Sequence, residues 1–476
     1  MGVLARRPSI AVAAASGLLL LLVSGRYGYH RDELYFLEAG RHLAWGYPDQ
    51  PPIVPALARL MSWLAPSSLP VLRLPSMLVA VAVVLLAGAM ARRLGARASG
   101  EAFAAAATAT SGFVLAMGHL LSTATVDLLG WTLLTYLFVR LLQGDLAGPR
   151  PWLLAGLVAG VTLMANVLVA FLLVGVLAGL LISGPRALLR SRWPWVAAGV
   201  ALLVGLPYLL WQAGNGWPQL RVAGDIAAGG SGSSVSRPLF LPLLLVQAGP
   251  WLAPVWIAGV VRLRRDPRLR CLATTFLVLV VLFLVLGGKP YYLAGLFPLL
   301  LAAGAQPVVD RVWRWVPTAL VVLSLPAVLI ALPVLPERAA GPAIAINYDL
   351  GETIGWPRFA AQVAAAYDEL PAGTAIVTGS YGEAGALDRY GPPLGLPSAY
   401  SGHNAYAEWG HPPGRSPALM VGVDPGLLRD SCAELRTVGR LTSPHDLDIE
   451  ENGTVLSWCV PARSWRSLWP SFTQLG

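Results

Sequence analysis

Long apolar blocks separated by short polar connections dominate the first 335 residues of the chain. Eleven of them approach the ~20 residues that cross a bilayer as a helix: 8–25, 73–91, 102–119, 125–142, 152–167, 168–184, 195–213, 238–261, 271–287, 290–306 and 315–335. The pattern predicts an all-α polytopic membrane domain of about 11 transmembrane helices over 1–335. The block 152–184 reads either as one long tilted helix or as two short ones turning near Asn166.

Arginine placement chooses between these. With Arg6 and Arg7 inside, a turn near Asn166 puts every short arginine cluster on one side, as the positive-inside bias requires. These clusters are Arg92, Arg93 and Arg97; Arg140 and Arg150; Arg186, Arg190 and Arg192; Arg262 to Arg270; and Arg311 with Arg314. A single helix over 152–184 would send the Arg262–Arg270 cluster across. The hairpin topology predicts a cytoplasmic N-terminus, a first anchor that is retained, and outer loops at 26–72 and 214–237. The second of these carries the Gly/Ser run "AAGGSGSSVS", and the tail 336–476 also lies outside.

The tail changes character. It holds 15 of the 25 acidic residues and alternates strand-like runs ("TAIVTG", "ALMVGV", "TVLSWCV") with helical ones ("WPRFAAQVAAAYDEL", "PGLLRDSCAEL"). This predicts a C-terminal extracytoplasmic α/β domain.

Composition sharpens the picture. The chain is 56% hydrophobic and 12% charged, against about 25% charged in soluble domains. Its net charge of +9 lies largely in the loop clusters, which argues for a lipid bilayer and against nucleic acid as the partner. No Walker motif, dinucleotide fingerprint or metal-spaced His/Cys cluster occurs. Cys271 reads as a small core residue. Cys432 and Cys459 both lie in the tail, where they could pair or remain two unrelated thiols.

Three features gather at the predicted outer face. Asp32 and Glu33 are adjacent carboxylates on an amphipathic segment within 27–52, able to activate a hydroxyl or hold a cation, or simply to form a solvated face. Asp127 opens an apolar helix, where it is either functional or a helix-start acid suited by the dipole and by Ser122, Thr123 and Thr125. Lys289 is the single lysine among 34 basic residues. It follows Gly287 and Gly288 and precedes Pro290, Tyr291 and Tyr292. An ammonium there could pair with phosphate as a point charge or snorkel to the interface. Arg26, Arg31, Arg41, Arg221 and Arg237 are further basic residues at this surface.

"RHLAWGYPDQPP" after the acidic pair, "HLLSTATVD", "LPYLLWQAGNGWPQL" and "GGKPYYLAGLFPLLLAAGA" together resemble segments of the GT-C membrane glycosyltransferases. They are closest to the bacterial family-39, protein O-mannosyltransferase-like group that includes the aminoarabinose transferases of lipid A. "GSYGEAGALDRYG" and "YSGHN" are similar to the tail of some members, so the likeness spans about residues 25–410. The resemblance implies transfer of a sugar from a polyprenyl-phosphate donor to a glycan, lipid or protein acceptor of the cell envelope, on the outer side and with inversion. It implies a general base at Asp32 with Glu33 beside it, a supporting acid at Asp127, and donor-phosphate binding by Lys289, Tyr291 and Tyr292. Arg41, Asp49, His119, His403 and Asn404 are candidate substrate contacts. Some relatives use a divalent cation, which Asp32, Glu33, Asp49 and His30 or His42 could support. The rival readings are a lipid-linked-sugar translocase, which should need polar residues through mid-membrane, and a sensor, which should not need eleven spans.

Overall fold

The computed structural model describes residues 7–144, 146, 148–229 and 235–475. Arg6 and the central part of the Gly/Ser run, 230–234, lie outside the described residues. Helices occupy all eleven apolar stretches. Among the described residues, four are long and apolar enough to cross a bilayer alone: Leu69–Arg93, Thr123–Leu142, Trp193–Gly214 and Pro290–Arg311. Two bent pairs raise the number to six. Ala98–Ala109 with Gly112–His119 turns by 58°, and Arg237–Ala248 with Pro250–Arg265 turns by 83°. The remaining five, Pro8–Val23, Arg150–Leu163, Leu168–Ser183, Arg270–Leu286 and Val316–Ala331, are shorter. Hydropathy found the helices but overstated how many have full spanning length.

The segment 152–184 does break, into Arg150–Leu163 and Leu168–Ser183. Asn166 sits in the break, where its side-chain oxygen accepts from the Leu168 N–H at 3.0 Å. The Met164 carbonyl accepts from the Ile53 N–H at 3.1 Å, which ties the break to the first loop. That loop carries two helices. Arg31–Ala39 falls within the expected amphipathic segment, and Ile53–Leu64 was not anticipated.

The tail forms a five-stranded mixed sheet in the order β2-β1-β3-β5-β4. The strands are β1 (Ala375–Thr378), β2 (Ala399–Ser401), β3 (Ala418–Val421), β4 (Cys432–Arg440) and β5 (Val455–Pro461). β1 is parallel to β2 and β3, whereas β5 runs antiparallel to β3 and β4. The run "PGLLRDSCAEL" is helical only over Pro425–Ser431. From Cys432 onward its backbone pairs with β5 along nearly the whole length of that strand, and this pairing overrides local helix preference. A disulfide joins Cys432 to Cys459.

The tail is docked on the first loop. Its helix Tyr381–Tyr390 lies so close to Arg31–Ala39 that a Cβ on Gly382 would stand 2.7 Å from the Arg31 Cβ, and one on Gly385 would stand 3.0 Å from the Leu34 Cβ. Tyr35, Leu34, Trp356, Ala384 and Tyr406 belong to one apolar cluster that crosses this seam.

Candidate active site

The site is built around a buried ion pair that the sequence reading passed over. Arg73 lies in the first turns of Leu69–Arg93 and is fully buried, as is Glu33. Every N–H of its guanidinium has a partner. Nε reaches Glu33 Oε1 at 2.9 Å and one Nη2 hydrogen reaches Oε2 at 2.8 Å. The others reach the Ser24 carbonyl at 2.9 Å, the Gly28 carbonyl at 2.7 Å and His119 Nε2 at 3.2 Å. Glu33 accepts in addition from the His30 N–H at 2.9 Å and the Leu121 N–H at 3.1 Å. The pair therefore fixes three segments to each other: the chain leaving the first helix, the start of Arg31–Ala39, and the loop that leads into Thr123–Leu142.

This geometry separates the two adjacent carboxylates. The expectation that Glu33 shares catalysis or a cation with Asp32 does not fit it, because both Glu33 oxygens are consumed by Arg73 and backbone N–H groups. Asp32, one residue along the helix, turns to the seam with the tail and stays partly open, at 36% side-chain exposure. Its Oδ1 accepts from the Tyr381 hydroxyl at 2.7 Å. Its backbone N–H is capped by His30 Nδ1 at 3.2 Å. Burial works against the charge on Asp32. The Arg31 charge, the Tyr381 hydrogen bond and Lys289 outweigh it, and they hold its pKa below the usual carboxylate value.

Lys289 lies within electrostatic reach of it. The helix Arg270–Leu286 ends at Gly287, whose φ of 71° is a conformation that favours glycine. The chain then extends at Lys289 (φ −81°, ψ 146°) before the 3-10 turn Pro290–Leu296. Lys289 is 9% exposed. Burial lowers its pKa, partly offset by the carboxylates of Asp32 and Asp349, with Arg31 acting in the same direction as burial. Its Nζ lies 6.0 Å from the Tyr291 ring centre. Tyr291 and Tyr292 pack edge to face at 5.0 Å, and Tyr292 packs on Phe283 at 5.4 Å. Both tyrosines are half-buried against the helix core rather than lying in a bare interfacial belt.

Tyr291 is within electrostatic reach of Asp32, Asp127 and Asp349. Asp127 is buried, and its Oδ1 has no hydrogen-bond partner among the described residues. It is not the helix-start acid. The helix begins at Thr123, and Ser122 provides the cap by accepting from the Thr125 N–H at 3.2 Å. The nearby hydroxyls do not serve it either, since Thr125 donates to the Met117 carbonyl at 2.7 Å.

The other candidates divide between this seam and elsewhere. The His403 ring lies 4.6 Å from that of Tyr381, and Asn404 follows it in a left-handed conformation (φ 51°). Asp49 accepts from the Tyr35 hydroxyl at 2.6 Å, and the Tyr35 ring lies 4.8 Å from Tyr381. Burial pushes Asp49 up to about 7. His119 is bound to Arg73, not to the seam. Arg41 is exposed and pairs with Glu38 at 2.8 Å on another side of the helix. Among the described residues, the carboxylates close enough together to hold a metal ion are Glu352, Glu450 and Glu451, rather than Asp32 and Glu33. Arg31 already reaches two of these three, at 3.2 Å to Glu352 and 2.8 Å to Glu450. Arg73 and Tyr381 are the site residues that sequence reasoning missed, and Arg31, named only as a further basic residue at this surface, proves to be part of the seam. Arg73 alone left a signal, as a single charge inside "LPVLRLPSML".

Residues 49–211 match the family model of dolichyl-phosphate-mannose-protein mannosyltransferases. The fold is similar to that of ArnT from Cupriavidus metallidurans in its apo state, with a TM-score of 0.60, and bound to undecaprenyl phosphate, with a TM-score of 0.61. Each comparison has 15% identity and covers 94% of this chain and 97% of that one. The arabinofuranosyltransferase AftD from Mycobacteria is similar with a TM-score of 0.50 and 17% identity, over 96% of this chain and 40% of that one. No curated protein sequence matches. The chain therefore shares the fold of the ArnT structures, and within it residues 49–211 fit the mannosyltransferase family model.

Glu33→Gln or Arg73→Met alone leaves a buried charge or its donors unpaired, and each is expected to cost about 3–5 kcal/mol. The double variant Glu33→Gln/Arg73→Met removes both charges and is expected to be more stable than either single one. Thermal unfolding of the purified protein in detergent measures all three.

Proposed function

We propose that the chain is an integral membrane glycosyltransferase that moves a sugar from a polyprenyl-phosphate donor to a hydroxyl of a cell-envelope acceptor, with inversion. The observation that carries this reading is that Asp32, whose carboxyl is held below its usual pKa, and the chain's one lysine lie within electrostatic reach of each other beside apolar helices. The ligand of the ArnT neighbour, undecaprenyl phosphate, is of the donor class that this pairing suits.

In this reading Asp32 accepts the proton of the acceptor hydroxyl as its oxygen attacks the anomeric carbon. The bond from that carbon to the phosphate oxygen breaks, and the phosphate leaves with the bonding electrons. Lys289 stabilises the charge that develops there as a compact point charge. Tyr291 and Tyr292 flank the headgroup. The buried, unpartnered Oδ1 of Asp127 is placed to accept from a sugar hydroxyl, since a buried polar atom without a partner is costly until a ligand supplies one. Tyr381 holds Asp32 in position from the tail. A divalent cation remains compatible with the reaction, although the Asp32–Glu33 geometry does not hold one. The eleven helical stretches, the inside N-terminus and the outside tail form the topology in which the seam faces the extracytoplasmic side.

Three predictions test these roles, all by release of polyprenyl phosphate from labelled donor in proteoliposomes. Asp32→Asn removes the base and should lower kcat by about 10²–10⁴-fold. Lys289→Ala should raise the donor KM and lower kcat by about 10²-fold. An Asp32→Asn variant with near-normal kcat removes the base assignment. Tyr381→Phe takes a hydrogen bond from the ionised form of Asp32, so the Asp32 pKa rises. The acid limb of the pH–rate profile should therefore move to higher pH, while the plateau at higher pH falls less. An unmoved limb contradicts the positioning role.

A further inference from the structure

On the side of Arg31–Ala39 away from Asp32 lies a cleft that the transfer chemistry does not use. At 100° per residue, Leu34, Leu37 and Glu38 fall about 140–240° around the helix axis from Asp32. They line a cleft of about 160 Å³ closed by Ile53–Leu64 and Tyr381–Tyr390. Arg41, Arg59 and Arg389 line it together with Ser62, Ser68, Leu34 and Leu72.

Its charge balance is not neutral. Glu38 is committed to Arg41 at 2.8 Å. The two Asp388 oxygens accept from the Ala399 N–H at 3.0 Å and the Tyr406 hydroxyl at 2.9 Å. No described carboxylate pairs with Arg59 or Arg389. The Arg389 guanidinium carbon lies 5.5 Å from the Tyr29 ring centre and 5.9 Å from that of Tyr390, cation–π distances that still leave a guanidinium's N–H donors able to bond an anion.

The surroundings say which anion. On the same helix as Arg59 and Ser62, Leu60, Trp63 and Leu64 are 45%, 74% and 57% exposed. Spaced i, i+3 and i+4, they form one apolar face, the arrangement of a helix lying in a membrane interface. A molecule whose phosphate enters the cleft can lay its acyl chains along that face. We propose that this cleft binds the phosphate of an anionic lipid headgroup, independently of the transfer site.

The test uses the full chain in detergent with three probes: short-chain phosphatidic acid, short-chain phosphatidylcholine and inorganic phosphate. Phosphatidic acid is expected to raise the unfolding temperature saturably, and the other two are not. The variant Arg59→Gln/Arg389→Gln should bind phosphatidic acid at least about tenfold more weakly. Arg59→Lys/Arg389→Lys, which keeps the charge, should recover part of the effect. Asp32→Asn, which disables the proposed transfer, should leave the shift unchanged, so that this inference and the transfer reading can fail separately. An equal shift from phosphatidylcholine, or an undiminished one in the Gln variant, overturns the site. An equal shift from inorganic phosphate overturns the lipid as its source.

Discussion

The architecture of the seam depends on one desolvated charge pair. Arg73 and Glu33 are both fully buried, and taking such ions out of water costs several kcal/mol each unless all their hydrogen-bonding capacity is used. Here it is used. Five guanidinium N–H groups and the carboxylate lone pairs are all engaged. A pair so fully bonded has one low-energy arrangement, which sets the rotation of the Arg31–Ala39 helix. That rotation decides which face Asp32 presents, and so it turns Asp32 to the tail while the opposite face lines the arginine cleft.

The tail then completes what the membrane helices begin. Tyr381 reaches Asp32, and the Arg31 guanidinium crosses back to Glu352 and Glu450. Close helix packing at Gly382 and Gly385 makes both contacts possible. Two polypeptide regions more than 300 residues apart thus share one carboxylate environment. The influences that lower the Asp32 pKa come partly from each region and partly from Lys289.

Much of this was legible in the chain, for definite reasons. Apolar blocks marked the long helical stretches of the first 335 residues, because helices buried in lipid demand continuous hydrophobicity. They could not give helix length, since bends such as the one at Gly249–Pro250 and short helices such as Arg150–Leu163 carry the same composition as full spans. The lone lysine and the acid at Asp32 stood out by residue type and sidedness, and the structure brings them together. Arg73 was hidden because one charge at the edge of an apolar block looks like a loop residue, and its partner was read as a catalytic neighbour. Tyr381 carried no local signal, since its importance lies in a contact across 349 positions of sequence. The strand at Cys432 was hidden for the same reason, because the pairing that makes it a strand is with β5 rather than with its own neighbours.

The central claim is that the Asp32–Lys289 seam breaks a bond in its lipid-linked substrate. The most direct measurement gives the purified protein, in sealed proteoliposomes, a panel of doubly labelled polyprenyl-phosphate sugars with candidate acceptors. It follows both the free lipid phosphate and the leaflet in which intact donor resides. The account predicts that one donor releases polyprenyl phosphate in step with sugar appearing on the acceptor. Intact donor exchanging between leaflets, with no release from any donor–acceptor combination, would contradict it and leave Lys289 as a headgroup contact without chemistry.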